Sequence, residues 1–428
     1  MGSINVEHDG SGNAITLSSD GTSLLLNGTA VGGGGGADLY AANESSPSAQ
    51  PSATGTNAIA IGDSAVSEGN HGVAIGHNAH VDISGSQGSN YGTAIGPHTK
   101  ADAWGTAVGI GQDASTLTEA TGNVSTALGY VAKSIGTGSV ALTQSRASGD
   151  YSFAAAINNN TSSYGASGMN SVAIGRQAKT SNSDSIAIGY NNRAVGVRSI
   201  AAGYNNLSYT DGFCFGNGNG SQSASVAAGR NNNAWGNGSV AIGDGNEVAS
   251  NAIGGICIGQ SCDVNNDHDR GMAIGAGAQT RAKGHQVYAN YNSIYQSGRW
   301  IVWTNTTDAT ATALSTDNNS ASTANQIILP NDSVYGFTGT VIAREDSSST
   351  NDFAVWEVKG GAVRAASAST TALGTYNINK ISESAGATNW SIALSADTTN
   401  GAVAITVTGE ASHNIRWVAT INTTEVTY

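Results

Sequence analysis

The residues whose types and spacing come nearest to chemistry lie in one short loop. Asp263, Asn265, Asp267 and Asp269 form D-x-N-x-D-x-D. Alternate oxygen ligands of this kind converge on calcium when the loop turns sharply and closes on a bidentate glutamate, with glycine at the sixth place and glutamate at the twelfth. His268 and Ile274 occupy those two places. A solvated acidic loop is therefore the simpler reading, and the four residues stand only as a metal-site candidate. His71, His77, His80 and His98 are crowded together and would gather on an anion or a transition ion only if their spacing were in phase, which it is not. Glycoside hydrolysis needs two carboxylates flanking the scissile bond. Asp63 with Glu68 and Asp244 with Glu247 are near in sequence, but both read as turn residues, and no acid pair repeats across neighbouring copies of the pattern described below. No G-x-S-x-G elbow or zinc motif occurs. The sequence thus predicts no catalytic residue, no cofactor and no enzyme. What remains is recognition. Trp300, Trp303, Trp356 and Trp390 lie in the last third of the chain; such indoles build a core, and any left exposed would serve receptor binding.

These residues have to be held by a repeat. Val/Ile-Ala-Ile-Gly recurs from Asn57 onward: Ile59-Ala60-Ile61-Gly62, Val73-Ala74-Ile75-Gly76, Val172-Ala173-Ile174-Gly175, Ile186-Ala187-Ile188-Gly189, Val240-Ala241-Ile242-Gly243. The closing glycines are most often 13 or 14 residues apart, with Thr143 and Ala156 standing where glycine is expected. A fixed short period signals a solenoid, and period-two apolar alternation signals strands. Each period holds two short strands and two turns, so each is one coil of a parallel stack. The alternation is expected to turn the Val/Ile face inward and leave alanine outside. Asn191-Asn192, Asn205-Asn206 and Asn231-Asn232 follow their glycines at a constant offset; they either form amide ladders between coils or simply tolerate left-handed turns. A coil this thin encloses few side chains, so burial must also come from neighbouring chains and an obligate oligomer is expected. Longer steps place loops at about 81–90, 115–124, 158–170 and 260–270. Tyr91, Trp104, Tyr164, Tyr190, Tyr204, Tyr209 and Trp235 fall near turns, where they pack between chains or stack on sugar rings.

Composition agrees. The chain has 428 residues with 58 glycines and only 11% charged residues, a balance suited to thin stacked strands. A net charge of −13 disfavours nucleic acid and anionic membrane as partners. Cys214 and Cys257 stand inside strand phrases in place of alanine, and three cysteines without framework spacing argue against a disulfide scaffold. Residues 1–30 lack a basic start followed by an apolar run, so no secretory signal is expected, and no apolar stretch is long enough for membrane insertion.

Residues 1–36 contain small strand segments and end in a glycine run; they are expected to attach the chain to a larger assembly. Residues 37–56, rich in Ser, Ala and Pro, read as a linker, and 57–282 as the roll. From 283 to 428 the repeat stops. Alternating segments at Arg299–Thr304, Gln326–Leu329, Phe337–Arg344, Phe353–Val358, Ser391–Ser395, Ala402–Thr408 and Asn414–Asn422, with a hairpin signal at Asn400-Gly401, predict an antiparallel β-sandwich.

The phrase S-V-A-I-G-x-x-A at this period resembles the head repeat of trimeric autotransporter adhesins, the YadA-like head. That resemblance implies a left-handed parallel β-roll and a homotrimer with rolls side by side. Ala324–Pro330, Ala354–Gly360, Leu394–Gly401 and Ile415–Ala419 resemble the C-terminal β domain of bacteriophage tail-fibre and virion proteins. Together they imply an all-β homotrimeric fibre of a phage, tail or capsid, held to other virion proteins by its N-terminus, displayed on the virion surface and meeting a host glycan or protein. The alternatives are a passenger fragment of a bacterial trimeric adhesin, displayed on the bacterial cell surface, and a glycan depolymerase tailspike.

Overall fold

The computed structural model describes residues 49–83, 91–102, 104–158, 163–346 and 351–428, and before them the backbone of four short strands. The chain divides into two compact units, 1–167 and 168–428. In the first, Ile4–Val6, Ile15–Ser19, Leu24–Leu26 and Thr29–Val31 form an antiparallel meander. The glycine run at 32–36 and most of the expected linker lie outside the described residues.

Both units are built from the repeat, and each coil gives one strand to each of two parallel ladders. In the first unit Val73–Ile75, Thr93–Ile95, Thr106–Ile110 and Thr126–Tyr130 stack in register, opposite a ladder of shorter strands from Val66–Ser67 to Arg146–Ala147. The second unit repeats this from Val172–Ile174 to Met272–Ala276.

The orientation of the repeat is the reverse of the expected one. Alanine points inward: Ala74, Ala107, Ala127, Ala187, Ala201, Ala227 and Ala241 are fully buried, as are Cys214 and Cys257 in the same position. The flanking bulky residues point out, and Ile188, Ile242 and Ile258 are each about 40% exposed in the chain. The reason is depth. The two ladders face each other across a gap that takes one small side chain from each side, and the opposite ladder contributes Ser67, Ala101, Ala120, Ser134, Ala194, Ser208, Ser221 and Ala234, all buried. Isoleucine does not fit there. Buried hydroxyls answer to the turn backbone, as when Ser139 Oγ donates to the Gly136 carbonyl at 2.7 Å.

Two backbone devices make the coils this tight. A residue just before each inner strand takes positive φ, among them Asn57, His71, Tyr91, Trp104, Asp184 and Arg198. The glycine closing each phrase also lies at positive φ; a Cβ on Gly203 (φ +119°) would sit 2.1 Å from the Gly216 carbonyl oxygen of the next coil, so close stacking requires glycine there.

Both asparagine readings hold, on different members of each pair: Asn191, Asn205 and Asn231 take left-handed φ of 50–55°, and the residue after each belongs to a ladder that runs inside the coil. Asn192, Asn206, Asn219, Asn232 and Asn246 are buried. Each amide nitrogen after Asn192 donates to the preceding side-chain carbonyl oxygen of the column, at 2.9, 3.0, 3.1 and 2.8 Å. The same nitrogens also donate to two backbone carbonyls, as Asn219 does to Phe215 and Gly229. Cys262 closes the column, its backbone N–H donating to Asn246 Oδ1 at 2.9 Å.

In the second unit the parallel stack ends at Gln286–Ala289, which pairs parallel with Met272–Ala276 and antiparallel with Tyr295–Thr306. A broad antiparallel sheet follows in the order Tyr295–Thr306, Ile415–Thr427, Ser333–Glu345, Phe353–Arg364, Ala372–Glu383. A small sheet around Ala402–Thr408 and Ser391–Asp397 shares its core with one face of the broad sheet through Trp300, Trp356, Trp390, Trp417, Leu329, Ile405 and Val407. The strand Ala372–Glu383 had no alternating signal because most of its residues are exposed. A buried polar knot sits where the stack gives way to the sheet. His285 stacks on Trp300 at 3.8 Å between ring centroids, and Gln296 Nε2 and Thr423 Oγ1 donate to the Glu425 carboxylate at 2.8 and 2.6 Å. Burial alone would raise Glu425; these donors and neighbouring His285 outweigh it and hold the carboxyl below its ordinary range.

Candidate functional site

The four loop residues singled out as a metal candidate do not converge. Asp263 lies in the strand Asp263–Val264 and accepts from Gln279 Nε2 at 3.3 Å. Asn265 Nδ2 donates to the Thr280 carbonyl, Asp267 takes the left-handed turn position at φ 61°, and Asp269 accepts from the Ile253 backbone N–H at 2.9 Å. Asp263 is engaged from the following coil and Asp269 from the preceding one, so the turn sends its carboxylates to different coils rather than to a common centre. His268, at the place where an EF-hand has glycine, is mostly buried and within 2.9 Å of Thr280 Oγ1. Burial holds its imidazole down at about 4. The unfolded chain takes up this proton near the ordinary value of about 6.5, so between the two the unfolded state binds more protons. Stability is expected to fall as pH drops from about 6.5 to about 4, by up to ~3 kcal/mol. Urea melts across that range should show the loss in the native chain and a shallower one in His268→Gln.

The stack sets carboxylates beside one another that are far apart in the sequence. Glu247 and Asp263 are sixteen positions apart yet register partners on adjacent parallel strands, which lie about 4.8 Å apart. Their in-strand neighbours Val248 and Val264 are buried, so both acids face outward. Burial, reinforced by the Glu247 charge, raises the Asp263 carboxyl above its ordinary range against the hydrogen bond from Gln279. One carboxyl biased toward the protonated form beside an exposed carboxylate is the division of labour used in acid-assisted glycoside cleavage. Of the acids expected in turns, Asp63 lies in one, accepting from the Ala49 N–H and contacting His77; Asp244 and Glu247 lie instead in the strands Val240–Asp244 and Glu247–Val248, and Asp244 pairs with Arg230.

The tryptophans separate sharply. Trp300, Trp356 and Trp390 are at most 2% exposed and form the core between the sheets, so burial removes them from any contact surface. Trp303 is exposed on the opposite face of the broad sheet, in register with Val418, itself in register with Ile342. A second aromatic group lies in the first unit. His71 and Tyr91 stack at 5.0 Å and Tyr91 meets Trp104 at 4.7 Å, all three at the positive-φ position. A bulky residue there is strained, and Tyr91 and Trp104 are about half exposed. An open groove of about 580 Å³ lies near the end of the second unit's stack, with Tyr288 and Tyr295 in its lining.

The histidines fall into separate environments. His77 and His98 meet edge to face at 5.1 Å, His71 belongs to the aromatic stack, and His80 faces Glu68 at 3.7 Å. No helix among the described residues is long and apolar enough to cross a membrane.

Comparison with known families matches the YadA head domain repeat at residues 53–79, 120–142, 166–192, 181–206 and 221–246. Comparison with curated proteins finds no match. Among solved structures, the chain is similar to the tailspike protein gp49 of Acinetobacter baumannii bacteriophage Fri1, a capsular polysaccharide depolymerase, at 10% identity and TM-score 0.25, over 86% of this chain and 69% of that one. It is also similar to the tailspike protein of the Acinetobacter phage vB_ApiP_P1, at 9% identity and TM-score 0.20, over 82% of this chain and 75% of that one. The expectation that the chain is no enzyme is withdrawn, because the stack sets the acids Glu247 and Asp263 in register on adjacent strands. The chain carries YadA head repeats in an all-β parallel solenoid, followed by an antiparallel sheet region.

Proposed function

We propose that the chain is one subunit of an oligomeric, tailspike-like fibre that projects from a phage particle and engages polysaccharide on the host surface. The observation that carries this is the outward apolar stripe. In both units the roll hides alanine and presents Ile59, Ile95 and Leu128, or Ile188, Ile242 and Ile258, to its surroundings. Three rolls of left-handed twist side by side would cover these residues, which supports a homotrimer. In this reading residues 1–36 dock on other virion proteins, 37–56 link, 57–282 form the roll, and 283–428 meet the host, with Trp303 among the contact residues. The Glu247–Asp263 pair favours a second activity on the surface of the roll: Asp263 protonates the glycosidic oxygen while Glu247 attacks the anomeric carbon or activates water.

One experiment separates these readings. The purified chain is weighed by light scattering, then incubated with a panel of bacterial capsular polysaccharides while bound polymer and new reducing ends are both measured. The expected result is a trimer that binds one polymer and releases reducing ends, with release reduced at least about 100-fold in Glu247→Gln and Asp263→Asn at unchanged binding. Binding without release would leave attachment alone. A monomer, or silence across the panel together with binding to matrix protein, would sink the proposal and favour a bacterial adhesin passenger.

A further inference from the structure

We propose that Glu68, His80 and Asp82 bind one divalent transition ion, with zinc the best match, between two consecutive coils of the first unit.

The register brings the three together. Val66 pairs with His80 and Ser67 with Val81, and His80 in turn pairs with Lys100 and Val81 with Ala101. Ser67, Val81 and Ala101 point inward and are fully buried, so the residues on either side of them face out. This sets His80 beside Lys100 in one column, and Glu68, Asp82 and Asp102 on successive coils in the next. One ligand atom each from Glu68, His80 and Asp82 lies within 4.8 Å of the other two, and His80 Nε2 stands 3.7 Å from Glu68 Oε2. Ligands about 2.1 Å from a shared zinc ion sit roughly 3.4 Å apart, so closing on the ion needs only small side-chain movements.

Two further observations point to a cation. His80 Nε2 is buried and has no hydrogen-bond partner, and its carboxylate neighbour is beyond hydrogen-bond reach. A buried ring nitrogen left in that state is costly, and an ion would satisfy it. The charge is also unbalanced. Lys100 is the ammonium serving the carboxylate column, at 2.7 Å from Asp82 and 3.9 Å from Asp102. Burial and the charge of Asp82 push the Asp102 carboxyl up even with Lys100 beside it. One coil further along, Glu119 has its own partner in Lys133 at 3.2 Å. Excess negative charge is thus concentrated where the imidazole is.

The donor set selects the ion. One imidazole with two carboxylates is a borderline set that suits zinc better than the all-oxygen surroundings of calcium and magnesium. Three protein ligands leave a fourth place for water. The bond would cross-link the coils carrying Glu68 and His80 and stiffen this stretch of the stack.

The test uses the tag-free full chain, stripped with chelator, dialysed and titrated with zinc chloride by calorimetry, with cobalt(II) absorption as a second readout. The expected result is one zinc per chain, tetrahedral cobalt bands, and a rise in melting temperature. His80→Gln and Glu68→Gln, checked for native circular dichroism and native mass, should each weaken binding at least about 10-fold and lose the thermal shift. His98→Gln should bind as the native chain does. Lys100→Met should bind several-fold more tightly, since it removes the ammonium that competes for Asp82. Calcium binding more tightly than zinc, zinc binding untouched by His80→Gln, or no binding to the native chain would each overturn the proposal.

Discussion

Ala241→Leu is expected to destabilise the chain by about 3 kcal/mol or more, the upper range for overpacking a filled core. Ala241 is fully buried and lies in register between Ala227 and Cys257. The space it fills is bounded by backbone, and a leucine could be admitted only by forcing the two ladders apart. The informative comparison is the next residue. Ile242→Ala removes more atoms, yet Ile242 lies on the outer face, so its effect on the isolated coil should stay near 1 kcal/mol and appear instead as weaker association. Denaturant melts at fixed protomer concentration, paired with light scattering, separate the two. A tolerated Ala241→Leu alongside an unfolded Ile242→Ala would reverse the assignment of inside and outside.

Asn219→Ala is expected to cost about 3–4 kcal/mol, since it leaves several buried polar groups without partners. Asn219 Nδ2 serves Asn206 Oδ1, the Phe215 carbonyl and the Gly229 carbonyl. Its own Oδ1 receives both the backbone N–H and the amide of Asn232. Removing the side chain interrupts the column at its middle. Asn219→Asp should be comparably damaging, because a carboxylate has no N–H to donate. Asn217→Ala, two residues away and exposed, should stay within about 0.5 kcal/mol. Equal effects at 217 and 219 would show that the ladder contributes nothing beyond turn propensity. Chemical denaturation followed by far-ultraviolet circular dichroism is the measurement.

Much of this was legible in the sequence because it depends on period. The recurrence of Ala-Ile-Gly named a solenoid, and the glycine column follows from backbone contact between coils. The alternating segments after residue 290 marked most of the antiparallel strands, and Asn400-Gly401 marked the hairpin joining Ser391–Asp397 to Ala402–Thr408. Cys214 and Cys257 were readable as alanine substitutes because position in the phrase decided it.

What could not be read is whatever depends on distance across the coil. Alternation states that two faces differ, but not which is inner; the width of the gap decides that, and it admits alanine and serine while turning isoleucine out. Glu247 meets Asp263 because a longer turn brings positions sixteen apart into one register, and Glu68 meets His80 and Asp82 across an ordinary fourteen-residue step, where the outward direction of the side chains decides the contact. The four loop residues are regular in sequence and scattered in space because neighbouring coils on opposite sides engage them. Among Trp300, Trp303, Trp356 and Trp390, burial depends on which face of a strand each indole takes once the small sheet covers one side. Period and composition are local properties, and the sequence by itself determined the repeat, the strand content and the candidate turns. Inside and outside, the acid pair and the exposed tryptophan are set by contacts between residues far apart in the chain, and only the tertiary structure decided them.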